Sequence, residues 1–404
     1  MAKTTKKAIK RPHVLSAAAA LGGKVSEVTI RMPITNVYME GDYTGTIYVG
    51  SQKTPCNVIL DTGSSTLAIN GKHFDVSKDK SATITDIAQE VAYGDKSSWI
   101  GGVIQTNTVA GVGSQLVTLK QVNVAVAYHA TQSMFGKSDG ILGLAYTKLN
   151  DAFTMPGPTI PPKYGYNEIQ TGKKTFVEPY FTQLEEAGLV SNKFAFYTKR
   201  SMISMATSKP NTDPLNHGFL IMGGGEESTD LYTGDFQVAR VVDDLYYNTN
   251  LKSVRVGNGK QIAVSAPTKS SGNVSNSIVD SGTNELLIDQ ELFSEIENAL
   301  GASLTDQLRA GYVPMSKLDL NEWPAITFVL EGALGKDVEL EVAPETYWQT
   351  HTPKAGYAVA VLSGDSGDGG GQSILGLPLM NNYFTIFDRS VNKGRGVVSF
   401  AKIK

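Results

Sequence analysis

Two short segments of this 404-residue chain are versions of one another. Asn57 to Thr66 reads NVILDTGSST and Asn276 to Glu285 reads NSIVDSGTNE; in each, an apolar run enters an aspartate, then a hydroxyl residue, a glycine and a second hydroxyl residue. Each is followed by a glycine-closed Ile-Leu run: DGILGLAY, with Ile141 80 residues after Asp61, and SILGLPL, with Ile374 94 residues after Asp280. A repeat of this size means that one supersecondary unit is written twice, which predicts two similar lobes.

The repeat gives its aspartates a purpose. A carboxylate at the end of a buried strand loses hydration and must recover it through hydrogen bonds or a charge partner, or rise in pKa. If the two lobes are related by an approximate two-fold axis, Asp61 and Asp280 meet at the junction, where two close carboxylates cannot both ionise cheaply and share one proton. The charged partner then serves as general base on a water, while the protonated one donates to a carbonyl oxygen. That suffices for amide hydrolysis with no metal, no cofactor and no covalent intermediate. Which aspartate takes which role stays open, because the proton belongs to the pair. Gly63 and Gly282 let backbone approach the carboxylates, Ser64 and Thr283 offer hydroxyl donors to them, and Thr62 and Ser281 are placed to cross-link the loops. A single Asp-Thr-Gly is ordinarily a strand-to-turn junction; its duplication sets this chain apart.

Short β-branched runs between Gly, Asn and Pro dominate the chain, among them TGTIYVG, LVTLKQVNVAVAY, GFLIMGG, ITFVL and FTIFD. They predict an all-β, mainly β fold. Three-and-four spacing of apolar residues predicts helices in EPYFTQLEEAGL and across DQELFSEIENALGASLTDQLRAG. The stretch around 200–215 turns polar and carries prolines, which divides the chain into a basic tail or short leader over 1–25, an N-terminal lobe over 26–205 and a C-terminal lobe over 206–404. Five Lys or Arg among the first eleven residues precede an alanine-rich stretch too weakly apolar for a typical secretory leader. The segment from 150 to 175, rich in Pro, Gly and Tyr, reads as an inserted solvated loop, and 364–372 as a glycine-rich loop.

Several function classes fall away. A net charge of -3 offers no footprint for nucleic acid, and no apolar run is of membrane-spanning length. The single cysteine, Cys56, excludes an intrachain disulfide and suits a reducing compartment. His13, His73, His129, His217 and His351 are scattered without metal-ligand spacing. SGDSGDG around Ser366 is similar to a serine-protease nucleophile segment, but no histidine sits in a supporting motif. IMGGGEES lacks the Gly-Lys-Ser/Thr of a phosphate loop.

Taken together, DYTGTIYVGSQKTPCNVILDTGSSTLAI, SIVDSGTNELLI and the two Ile-Leu-Gly runs resemble the pepsin-like aspartic proteinases from about Asp42 to Lys402. EVAYGDKSSWIGGVIQTNTV is similar to that family's flap hairpin, which implies Tyr93 as the flap tyrosine with Gly94 and Asp95 at its tip. The resemblance implies a bilobal fold with a central cleft, a flap and an interlobe sheet. It also implies a monomeric endopeptidase that cleaves extended polypeptide at acidic pH beside large apolar residues and is inhibited by pepstatin; a peptide-binding relative without proteolytic activity is the alternative. The chain departs from secreted members in having no disulfide and only some 25 to 40 residues before the first family strand. It therefore resembles most the bacterial pepsin homologues of the shewasin kind, with a cytoplasmic location expected over a periplasmic or secreted one. Where many members carry a tryptophan that hydrogen-bonds the flap tyrosine, this chain has Ala68, so Tyr93 needs another partner; Trp99 is the candidate.

Overall fold

The repeat in the sequence is also a repeat in strand pairing. In the first copy Thr54–Asp61 runs parallel to Gly140–Gly143, Asp61 lying opposite Gly143. Gly140–Gly143 is antiparallel to Leu67–Asn70, which is parallel to Val117–Ala130. In the second copy Ser277–Val279 runs parallel to Ser373–Leu375, which is antiparallel to Leu286–Asp289, which is parallel to Leu362–Asp365. Each Ile-Leu run is thus threaded between the strand that enters an aspartate loop and the strand that leaves it, fixing both ends of the loop. Where these strands flank the aspartate loops they turn apolar because they are covered on both faces; Val58, Leu60, Leu67, Leu142, Leu286 and Leu375 are all buried.

This is a computed structural model, and it describes residues 28–39, 41–113, 115–132, 134–267, 274–365 and 372–404. The basic segment 1–25 and Ser366 lie outside the described residues. A fifteen-stranded sheet spans both halves of the chain, with five-, four- and three-stranded sheets completing the second half. The crossing is made by Ile30–Met39, antiparallel to His217–Met222 with Ile30 opposite Met222. From there the sheet continues through Lys193–Tyr197, Tyr383–Asp388 and Val397–Ile403. Phe194 packs at its centre against Phe181, Phe196, Phe387 and Tyr247. Each such ring, fully buried, contributes about 1.5–3 kcal/mol, so the junction between lobes is itself core. Tyr247 Oη donates to Leu144 O at 2.7 Å across that junction.

Among the described residues no helix is long and apolar enough to cross a membrane. The periodic stretch near residue 300 forms two helices, Gln290–Leu300 and Ala302–Arg309, broken where Gly301 adopts φ 82°. Arg309 folds back onto Glu297 in a two-point ion pair at 2.6 and 2.7 Å. The segment from 150 to 175 differs from the solvated loop expected of it. Asp151–Thr154 pairs with Lys173–Phe176 and with Ile87 and Ala88 at the sheet edge, and Thr159 Oγ1 lies 3.1 Å from the carbonyls of both Thr85 and Ile87. Unpaired edge groups of Thr83–Ala92 attract this cover; composition hides it, since Pro and Gly fill the connection between its two strands.

Candidate active site

Asp61 and Asp280 stand at the ends of their strands with only 5% and 7% of their surface exposed. The loops that follow are bolted together in a two-fold pattern. Thr62 N donates to Ser281 Oγ at 3.1 Å and Ser281 N donates to Thr62 Oγ1 at 2.8 Å. The same hydroxyls then donate onward, Thr62 to Val279 O at 3.2 Å and Ser281 to Leu60 O at 2.9 Å. Serine and threonine are both able to do this because a hydroxyl donates and accepts at once.

This bolt presses each glycine against the opposite carboxylate. A Cβ on Gly63 would lie 2.6 Å from Asp280 Oδ2, and one on Gly282 would lie 2.2 Å from Asp61 Oδ1. Each carboxylate also accepts from its own loop: Gly63 N to Asp61 Oδ1 at 2.7 Å, Gly282 N to Asp280 Oδ1 at 2.9 Å. The hydroxyl donors are not equivalent. Thr283 Oγ1 donates to Asp280 Oδ2 at 2.7 Å. Ser64, expected to do likewise for Asp61, lies close enough to ease its ionisation, yet its buried Oγ makes no hydrogen bond of normal geometry. The symmetry of the sequence is therefore broken at the fourth residue of the motif.

Burial first, and then the charge of Asp280, hold the Asp61 carboxyl well above the usual carboxylate range. The flap covers it. Thr83–Ala92 and Ser98–Ala110 form the hairpin, with Val91 opposite Trp99. At its tip Lys96 N donates to Tyr93 O at 3.0 Å and Ser97 N to Asp95 Oδ1 at 2.8 Å, so Gly94 and Asp95 occupy the turn, exposed. Trp99 Nε1 donates to Tyr93 Oη at 3.3 Å. Trp99 is fully buried in the same apolar cluster as Ala68; the small residue at 68 and the indole at 99 occur together. Burial, then the nearby charge of Asp61, push the Tyr93 phenol up, so it stays protonated.

Two further groups that the sequence did not single out act on these aspartates. Tyr246 lies near enough to feel both aspartates, its phenol pushed up by burial and then by Asp280 and Asp61. Asp42 lies beside Asp280 and Asn284. Tyr246 belongs to no local motif, and Asp42 is the first residue of the strand run DYTGTIYVG, which by itself says nothing of a place beside Asp280. Cys56 is no nucleophile: burial and then Asp139 push its thiol up to about 12. Among the described residues no group of three or more His, Cys, Asp or Glu is placed to hold a metal ion.

Comparison with known proteins agrees with this chemistry. The family model for eukaryotic aspartyl proteases matches residues 42–403. The chain is 26% identical to cathepsin D of Gallus gallus over 384 residues, covering 90% of this chain and 81% of that protein. It is 26% identical to pepsin A of Sus scrofa over 372 residues, with 89% and 82% covered, and 25% identical to gastricsin of Oryctolagus cuniculus over 370 residues, with 88% and 81% covered. The chain belongs to the pepsin-like family of aspartyl proteases, and it is an aspartic endopeptidase.

Proposed function

We propose that this endopeptidase hydrolyses peptide bonds of extended polypeptides at acidic pH through an Asp61/Asp280 dyad that activates a water. The observation that carries the reading is the reciprocal seating of the carboxylates, Asp61 over Gly282 and Asp280 over Gly63, which brings both to one point. Asp280 accepts from Gly282 N and Thr283 Oγ1, whereas Asp61 has only Gly63 N in good geometry; this imbalance supports Asp280 as the resting anion and Asp61 as the proton holder. Asp280 then takes a proton from the attacking water as its oxygen bonds to the scissile carbon, and Asp61 donates to the carbonyl oxygen. On collapse of the tetrahedral adduct the proton on Asp280 passes to the leaving amine, the C–N bond breaks, and a hydroxyl of the adduct returns its proton to Asp61 as the carbonyl re-forms. Asp61 must hold its proton before the attack, so activity falls as pH rises through its raised pKa.

Tyr93 and Tyr246, aromatic rings from the two lobes near enough to feel the charge of the aspartates, support a preference for large apolar residues at the scissile bond. A lone buried cysteine supports work as a monomer in a reducing compartment, the cytoplasm, and with it kinship to bacterial pepsin homologues. The test is cleavage of a peptide with two adjacent large apolar residues from pH 3 to 8, with and without pepstatin, whose hydroxyl stands in for the oxygen of the tetrahedral adduct. An acid optimum abolished by pepstatin, and lost in both Asp61→Asn and Asp280→Asn with unchanged melting, supports the reading. Substantial activity in either variant refutes the dyad.

A further inference from the structure

We propose that Gln89 is a positioning residue for the flap: together with Asn150 it hooks the base of the hairpin to the loop that Asp61 opens, and so sets where Tyr93 stands relative to the dyad. The proposal rests on the reading of Tyr93 as the flap tyrosine. Side chains alternate along the strand Thr83–Ala92 and its continuation, so Ile87, Gln89, Val91 and Tyr93 share one face. Ile87, Val91 and Tyr93 pack against the apolar cluster that holds Trp99 and Ala68. Gln89 interrupts that face with an amide, and it is fully buried.

That amide serves a single junction. Gln89 Nε2 lies 2.8 Å from Asn150 Oδ1, 3.0 Å from Asp151 O and 3.2 Å from Thr66 Oγ1. Asn150 is buried and bonded on both sides of its amide: Oδ1 also accepts from Thr66 Oγ1 at 2.5 Å, while Nδ2 donates to Ser65 O at 3.2 Å and to Val177 O at 2.8 Å. Val177 N returns a bond to Asn150 O at 3.1 Å, which closes the segment from 150 to 177 at its two ends. Ser65 and Thr66 belong to the loop that follows Asp61, and Gly143 N donates to Thr66 O at 2.9 Å. Flap base, catalytic loop and added segment therefore meet at Asn150, and Gln89 is the flap's share of the meeting.

Packing does not ask for a glutamine here. Gln89 Oε1 is buried with no donor, which costs stability, whereas a methionine would fill the same space between Ile87 and Val91 without a polar atom to satisfy. A side chain that weakens the core while tying the flap to the catalytic loop has the marks of a functional constraint. Beyond Val91 the hairpin leaves this support: Gly94 and Asp95 are exposed, and Tyr93 is held by Trp99 Nε1. Closure over a substrate is thereby confined to the tip, and the junction fixes the base from which the tip moves.

The test is a double-mutant cycle of Gln89→Met against Tyr93→Ala in the full chain, read as kcat/KM at pH 4 on a peptide with two adjacent large apolar residues, with thermal melts of every variant. Gln89→Met lowers kcat/KM about tenfold while its melting temperature is unchanged or raised. In the Tyr93→Ala background the same substitution changes kcat/KM by less than about threefold, because the group it positions is gone. Gln89→Glu, whose carboxyl is neutral at pH 4 and still donates a hydrogen bond, stays within about threefold of the parent there. A full rate in Gln89→Met, equal losses with and without Tyr93, or losses in Gln89→Met and Gln89→Glu that follow lowered melting temperatures overturn the proposal. If Tyr93→Ala keeps the full rate, the flap reading falls and the proposal with it; if Tyr93→Ala is impaired and Gln89→Met is not, the flap reading stands and the proposal alone falls.

Discussion

Gly282→Ala tests the dyad more sharply than removal of either aspartate, because it leaves every catalytic atom present. A Cβ at 282 would stand 2.2 Å from Asp61 Oδ1 and 2.7 Å from its Cγ. Contacts under 3.0 Å are not tolerated, so the carboxylate must retreat by at least about 0.8 Å. The equivalent retreat for Gly63→Ala, where the Cβ meets Asp280 Oδ2 at 2.6 Å, is about 0.4 Å. Misplacing a reacting group by about 1 Å costs on the order of 100-fold in rate. Gly282→Ala is therefore expected to lose about two orders of magnitude in kcat, and Gly63→Ala clearly less. Overpacking of this kind costs about 1–3 kcal/mol of stability, too little to unfold a core of this size. Steady-state kinetics at the acid optimum, paired with thermal melts, decide it. Equal losses, a reversed order, or full activity in Gly282→Ala with normal melting would refute the opposed seating of glycine and carboxylate.

Three further outcomes follow from the same structure. Tyr93→Phe and Trp99→Phe each remove the 3.3 Å hydrogen bond, worth about 0.5–1.5 kcal/mol; kcat/KM falls up to about tenfold in each, and the double variant is no worse than the singles. Additive losses in that cycle would show that Trp99 does not act through Tyr93. Arg389, 6% exposed, donates from Nη2 to Thr182 Oγ1 at 2.8 Å while Nε and Nη1 have no acceptor, so its charge is carried by the rings of Tyr146 and Phe181. Thr182→Asp supplies a counterion and raises the melting temperature at pH 7, by about 1.5 kcal/mol of stability, with the gain lost at pH 3; a lower melting temperature at both pH values would contradict it. Asp42 also predicts a pH slope. Its folded pKa of about 7 lies above its unfolded value, so the folded state holds a proton that the unfolded chain releases, and stability declines as pH rises from about 4 to 7. The decline amounts to about 4 kcal/mol at most. Asp42→Asn flattens it, and urea titrations at pH 4 and pH 8 that gave the same loss in variant and wild type would assign the slope elsewhere.

The sequence by itself determined the architecture of the dyad. Strand, aspartate, hydroxyl, glycine and the Ile-Leu run are contiguous patterns, and writing them twice implies two loops that meet; Asp61, Asp280 and the bolt of Thr62 and Ser281 were legible for that reason, whereas Tyr93 was singled out only by resemblance to a family. What tertiary structure decided is whatever depends on groups far apart in the chain. The hairpin register, with Val91 opposite Trp99, supplies Tyr93 with its donor where position 68 holds only alanine. Ser64 and Thr283, twins in the motif, differ because one hydroxyl reaches its carboxylate and the other does not. Residues 150–175, loop-like in composition, became a sheet edge once Ile87 and Ala88 offered unpaired backbone. Tyr246 carries no motif, and the strand run that Asp42 opens does not announce its place beside Asp280. They act on the dyad through burial and charge, and those are properties of the space around a side chain, which one-dimensional spacing does not encode.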